Sequence, residues 1–156
     1  MRSDEEEDEE VDEDEDDDED MKIAATSLKN AGNEAFRCGL LDKALHAYTE
    51  ALAFEHSDDH LTAVLFANSA AVLLKMGEFT SALGSCESAL KFDPSSTKAL
   101  FRGAQACRSL GNLRRAVSFC DRGLRLNPNH VDFRKLQADL IEEFHGDTFE
   151  TDLRPP

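Results

Sequence analysis

The sequence predicts an all-α protein built from three helix-turn-helix repeats and a C-terminal capping helix. Apolar residues follow one another at spacings of three and four, which is the periodicity of amphipathic helices. Marker residues also recur: Ala82, Cys86, Ala89 and Pro94 return 34 residues later as Ala116, Cys120, Gly123 and Pro128. One helix pair cannot bury its own apolar face, whereas three stacked pairs can.

The repeat phase extends in both directions from this central pair. Ala44, Tyr48 and Ala51 precede their counterparts by 38 residues, so the first repeat carries four extra residues, which we place in the polar stretch from Glu55 to His60. The predicted repeats are about 25–62, 63–96 and 97–130, with glycine turns at Gly39, Gly77 and Gly111. A helix over 131–144 with a polar outer face is expected to cap the stack, and 146–156 to form a loose tail.

The first twenty residues differ in composition from the rest of the chain. They hold sixteen of the 33 Asp and Glu residues and one basic residue, Arg2, so the remainder carries seventeen acidic and sixteen basic groups, a formal charge of −1. A block of like charge with almost no apolar content is typical of disorder. We therefore predict a disordered acidic tail over 1–20, followed by the folded domain over 21–145.

Several classes of function are disfavoured by the sequence. No apolar run is long enough to span a bilayer, and the acidic N-terminus is unlike a secretory signal, so we expect a cytoplasmic or nuclear monomer. The four cysteines, Cys38, Cys86, Cys107 and Cys120, lack metal-ligand spacing and are expected to be small buried hydrophobes. No catalytic motif, metal site, cofactor site, membrane segment or nucleic-acid-binding pattern is predicted.

Five polar residues are the candidate functional site. Lys29 and Asn33, and likewise Lys98 and Arg102, are spaced i, i+4, which places each pair on one face of its helix. Lys29 and Asn33 flank Gly32, Asn68 lies two residues before Ala70, and Arg102 lies two before Ala104. Because Gly32, Ala70 and Ala104 share one repeat phase, the five residues are expected to face the same groove from three successive inner helices. Lysine and arginine can hold two carboxylates, and asparagine offers a neutral donor and acceptor.

Three further residues are weaker candidates for contacts in the same groove: Phe36, Lys75 and Gln105. Phe36 lies one turn beyond Asn33 and could contact a small apolar side chain, or it could simply pack in the core. Lys75 could equally be a solvated surface residue, as could Lys29 or Arg102 if each is considered alone.

The 34-residue pattern of small residue, aromatic, small residue and proline resembles the tetratricopeptide repeat, whose fold is a right-handed superhelical solenoid. The motifs LKNAGN, LFANSAA and KALFRGA resemble the carboxylate clamp of co-chaperones in that family. The resemblance implies that Lys29, Asn33, Asn68, Lys98 and Arg102 bind the C-terminal Glu-Glu-Val-Asp of cytosolic heat shock protein 70 or heat shock protein 90. Within the family, the chain is most similar to co-chaperones of the tetratricopeptide repeat protein 4 type, and next to UNC-type myosin chaperones.

An alternative stays open for the acidic tail. The tail could bind basic client proteins, with the repeats serving as a scaffold for another peptide. The tail also contains Glu9, Glu10, Val11 and Asp12, the residue types of the chaperone C-terminus, although Asp12 has no free α-carboxylate. We hypothesise that this internal match could fold back and compete weakly for the groove.

Overall fold

In a computed structural model the chain forms a stack of antiparallel helices. The backbone is described for residues 13–152 and the side chains for residues 14–146. Seven helices follow one another in this range: α1 (Glu13–Arg37), α2 (Leu41–Leu52), α3 (Asp59–Met76), α4 (Phe79–Phe92), α5 (Thr97–Ser109), α6 (Leu113–Leu126) and α7 (Val131–Asp152). None of them is long and apolar enough to cross a membrane. The predicted all-α repeat fold is confirmed.

Each helix packs against its neighbour in sequence, and the first helices of the three pairs also contact one another. Helices α1, α3 and α5 therefore form an inner layer, and α2, α4 and α6 an outer one. The turn within each pair passes through Gly39, Gly77 or Gly111, whose φ angles of 75°, 78° and 76° lie in the left-handed region that favours glycine. These turns hold the paired helices antiparallel and in register.

The four extra residues of the first repeat mainly lengthen a helix. Helix α5 begins at Thr97, which corresponds to Ala63 in the second repeat. Helix α3 begins one turn before that position, with the added residues Asp59–Thr62. Asp58 caps this added turn by accepting a hydrogen bond from the Leu61 amide at 2.9 Å. The connection from α2 to α3 is consequently a short loop over residues 53–58.

Small residues allow the helices to approach closely where the groove and the cap are built. A Cβ at Gly32 would lie 2.6 Å from Cε1 of Tyr48, and one at Gly123 would lie 2.4 Å from Cζ of Phe133. Phe133 is fully buried against α5 and α6, where its ring meets that of Phe101 edge to face at 5.5 Å between ring centroids. Helix α7 thus closes the core, as a terminal capping element must.

The predicted boundary of the acidic tail is wrong for residues 13–20, which form the first turns of α1. Two contacts hold this extension against the loop between α2 and α3. The Asp18 carboxylate accepts hydrogen bonds from the backbone amide and the hydroxyl of Ser57 at 2.7 and 2.8 Å, and Lys22 pairs with Asp58 at 3.4 Å. Acidic side chains are also favoured in the first turn of a helix. The remaining residues of the tail, 1–12, lie outside the described part.

The continuous helix bears on the hypothesis that Glu9 to Asp12 compete for the groove. Because an α-helix rises about 1.5 Å per residue, Glu13 lies roughly 24 Å along the axis from Lys29. The internal match, Glu9 to Asp12, lies outside the described residues, so its competition for the groove stays a prediction.

Two other expectations need correction. Helix α7 continues to Asp152, so the predicted loose tail over 146–156 begins with helical residues. Cys38 is exposed, unlike Cys86, Cys107 and Cys120, which are buried as predicted. Burial raises the pKa of Cys86 to about 12 and that of Cys120 to about 11, so these thiols stay protonated and unreactive at neutral pH.

Candidate functional site: a polar groove on the inner helices

The inner layer contains a cleft of about 450 Å³ that brings together four of the five predicted site residues. Asn33 comes from α1, Asn68 from α3, and Lys98 and Arg102 from α5. The other lining residues are Phe36, Arg37, Tyr48 and Ala71. The repeat phase therefore predicts correctly that these faces meet, although Lys29 is not among the residues that line the cleft.

The two asparagines form one hydrogen-bonded unit with a tyrosine from the outer layer. The Tyr48 hydroxyl donates to Asn33 Oδ1 at 2.6 Å, and Asn68 Nδ2 donates to the same oxygen at 3.2 Å. Burial raises the pKa of Tyr48, so its hydroxyl remains a donor at neutral pH. This unit leaves the amino group of Asn33 and the carbonyl oxygen of Asn68 for other partners.

Arg102 is held by the backbone of the neighbouring inner helix. Its Nη1 donates to the carbonyl oxygen of Ala67 at 2.7 Å, across 35 residues of sequence. Burial lowers the pKa of Arg102 from its ordinary value, and the guanidinium still stays charged at neutral pH. A partly buried cation with unused donors is well suited to bind a carboxylate, because the interaction is weakly screened by solvent.

The two lysines differ from Arg102 in being unconstrained. Lys98 is exposed at the first turn of α5, and Lys29 is half-exposed one turn before Asn33 on α1. Neither makes a hydrogen bond or an ion pair with the residues that the structure describes. Their ammonium groups are therefore available at the rim, while Arg102 supplies the fixed charge at the floor.

The weaker candidates line a second cleft of about 420 Å³, which shares Phe36, Ala71 and Arg102 with the first. Lys75 and Gln105 lie in it, and Lys75 Nζ is 4.8 Å from the centroid of the Phe36 ring. Phe36 also packs against the buried cluster of the first repeat. Phe36 thus contributes both to the core and to the lining of the groove, and its contact with a ligand stays a prediction.

Sequence reasoning missed two polar contributors to the groove. The repeat pattern marks Tyr48 only as the counterpart of Cys86 and Cys120, and its ring does pack against Gly32. Its hydroxyl nevertheless reaches Asn33, which only the fold reveals. Arg37 lines the cleft while its guanidinium pairs with Glu34 at 2.5 Å. Only the first repeat has a hydroxyl at this position of the pattern, and that difference is the one sequence signal for the role of Tyr48.

A separate cleft of about 590 Å³ lies at the start of the stack, between the extension of α1 and the end of α2. Asp14, Asp17, Asp18 and Glu55 surround it, and Met21, Ala53 and Phe54 supply its apolar surface. Its charge is opposite to that of the groove. Asp18 is anchored by Ser57, whose hydrogen bonds hold the pKa of this carboxyl below 3.8.

The paired helices, the glycine turns and the repeat offsets define the fold of the chain, which is that of a tetratricopeptide repeat domain. A model of the tetratricopeptide repeat family matches residues 73–140, which run from the second repeat into α7.

Among curated relatives, the chain is similar to tetratricopeptide repeat protein 4 of Bos taurus, with 36% identity over 114 residues. It is also similar to protein unc-45 homolog B of Danio rerio, with 31% identity over 135 residues. These matches take in 73% and 83% of this chain but only 29% and 14% of the relatives. Both predicted resemblances within the family are confirmed, and the chain spans less than a third of either relative.

Two solved structures add information about ligands. The first repeat domain of Spaghetti (RPAP3), bound to the HSP90 peptide SRMEEVD, matches with a TM-score of 0.73 and 28% identity, over 79% of this chain and 97% of that one. The second repeat domain of the human RPAP3 protein, in complex with the HSP70 peptide SGPTIEEVD, matches with a TM-score of 0.71 and 28% identity, over 77% and 97%. Both of those proteins hold peptides that end in Glu-Glu-Val-Asp.

Proposed function

We propose that the chain is a non-enzymatic co-chaperone adaptor of the cytoplasm or the nucleus, whose groove binds the C-terminal Glu-Glu-Val-Asp of heat shock protein 70 or heat shock protein 90. The observation that carries the proposal is the convergence of Asn33, Asn68, Lys98 and Arg102 on one cleft. The peptides held by the similar RPAP3 domains support it.

The chemistry of the groove matches a peptide terminus with two carboxylates. Arg102 and Lys98 come from one face of α5 and can share one carboxylate. The amino group of Asn33, with Lys29 at the rim one turn away, can receive the other. The Asn68 carbonyl oxygen can accept a peptide N–H. Each charge-assisted hydrogen bond contributes about 1.5 to 3 kcal/mol, so a micromolar Kd, roughly −8 kcal/mol, is within reach of these few contacts.

Replacing Lys98 by alanine tests this assignment. Lys98 makes no contact that the fold depends on among the described residues, so Lys98→Ala should fold normally. It should weaken binding of a synthetic Glu-Glu-Val-Asp peptide by about tenfold or more in a calorimetric titration. Lys91→Ala, which removes an exposed lysine from α4, is the matched control and should bind as wild type does. Equal affinities for the two variants would contradict the proposal.

A second candidate function is binding of basic client proteins at the acidic end of the molecule. The cleft formed by Asp14, Asp17 and Glu55 around Met21 and Phe54 favours it, because a basic side chain with an aliphatic stem complements such a surface. Peptide titration of variants distinguishes the two functions. Lys98→Ala should leave the affinity for a lysine-rich peptide intact, whereas Asp14→Asn combined with Asp17→Asn should lower only that affinity.

A further inference from the structure

The orientation of the Asn33 side chain is determined by its neighbours. Two groups approach the same oxygen, the Tyr48 hydroxyl at 2.6 Å and the Asn68 amino group at 3.2 Å. If the amide of Asn33 alone were turned over, its amino group would face the amino group of Asn68, which would then lose its acceptor. In the observed arrangement Asn33 presents its carbonyl oxygen to Tyr48 and Asn68, and its amino group to whatever enters the cleft.

Tyr48 makes this contact from the outer layer and lines the cleft although it is buried. Its side chain is 2% exposed, and its ring lies flat enough against α1 that even a methyl group at Gly32 would collide with it. The ring is thus immobilised by packing, and only the hydroxyl extends to the cleft. A donor fixed in this way holds its acceptor at a lower entropic cost than a surface side chain could.

The repeats provide an internal comparison for this pair. The position of Tyr48 is occupied by Cys86 and Cys120 in the second and third repeats, and that of Asn33 by Ala71 and Gln105. Cysteine fills the same site between helices but has no hydroxyl that could reach the inner face. Tyrosine therefore occurs in the one repeat that has an asparagine at this position of its inner helix.

We propose that Tyr48 is a positioning residue for the groove, which fixes the Asn33 amide so that its N–H donors face the carboxylate of a bound peptide. This inference rests on the proposed function. A fixed donor favours a ligand that ends in a carboxylate over one that ends in a carboxamide, because an amide that could turn over would accept from the carboxamide instead. Tyr48 thus increases the preference for a free C-terminus.

Tyr48→Phe is the variant that tests the role, since it keeps the ring against Gly32 and removes only the hydroxyl. We expect it to weaken binding of a Glu-Glu-Val-Asp peptide by about three- to tenfold and to reduce the ratio of affinities for the free-acid and amidated peptides. In the background of Asn33→Ala the same substitution should have no further effect, because there is no amide left to orient. Thermal unfolding should show that both variants remain folded.

Three outcomes decide the matter. An unchanged ratio of the two affinities in Tyr48→Phe would overturn the positioning role while leaving the proposed function in place. An equal loss in the wild-type and Asn33→Ala backgrounds would overturn it too, since Tyr48 would then act through the packing of α1. If the wild-type protein bound neither peptide, the proposed function would fail first, and the role of Tyr48 would fail with it.

Discussion

The groove and the acidic extension of α1 are both strongly charged, yet they are built in different ways. In the groove, Arg102 and the two asparagines are partly buried and hydrogen-bonded to other helices. In the extension, most acidic side chains are exposed, and Asp18 alone is anchored by hydrogen bonds among those described there. A density of charge is therefore not enough to define a precise ligand site. Three helices that fix donors against one another can recognise a defined group, whereas a solvated acidic surface selects mainly for charge.

The largest effect should come from the groove residue that is most constrained. Arg102→Ala removes both a ligand contact and the hydrogen bond to Ala67, so we expect at least a hundredfold loss of peptide affinity and a destabilisation of about 1 to 2 kcal/mol. Titration and chemical denaturation measure the two effects separately. Arg102→Lys keeps the charge without the planar fork and should give an intermediate loss.

The matched control for this prediction is Arg125→Ala, which removes an exposed arginine from α6. It should alter neither peptide affinity nor the free energy of unfolding by more than a few tenths of a kcal/mol. If Arg102→Ala behaved in the same way as this control, the contrast between a constrained groove and a solvated surface would not hold.

The smallest effect should come from Asp18, whose hydrogen bonds to Ser57 hold the extension of α1. The Ser57 hydrogen bonds hold the pKa of Asp18 below 3.8, so the ionised carboxylate stabilises the fold above the unfolded-state pKa, and that stabilisation is lost as the pH falls through the folded-state pKa. Asp18→Ala should therefore lower the free energy of unfolding slightly at neutral pH and not at strongly acidic pH. Denaturation at both pH values measures this.

Asp16→Ala is the control for the anchor, because Asp16 is exposed on the same stretch of helix. It should show no such dependence on pH. Neither substitution should change affinity for the Glu-Glu-Val-Asp peptide, since both positions lie near the far end of α1 from the groove. A loss of peptide binding in Asp18→Ala would show that the two regions are coupled.

The sequence predicted the repeats and most of the groove because both follow from periodicity. Offsets of 38 and 34 residues place Gly32, Ala70 and Ala104 in one phase, and Asn33, Asn68 and Arg102 lie within two residues of them. A solenoid converts that phase into spatial proximity. The contacts that it could not predict depend on tertiary structure. Ser57 meets Asp18 across 39 residues, which orders a stretch whose composition indicates disorder. Likewise, the reach of the Tyr48 hydroxyl to Asn33 depends on how closely α2 approaches α1 at Gly32.

The central claim is that the groove recognises a free C-terminal carboxylate, and amidation of the ligand tests it most directly. Two synthetic peptides that end in Glu-Glu-Val-Asp, one a free acid and one an amide, would be titrated into the wild-type protein at low and high ionic strength. The account predicts that the free acid binds more tightly by about tenfold or more, with an affinity that falls as salt rises. Equal affinities for the two peptides would contradict it.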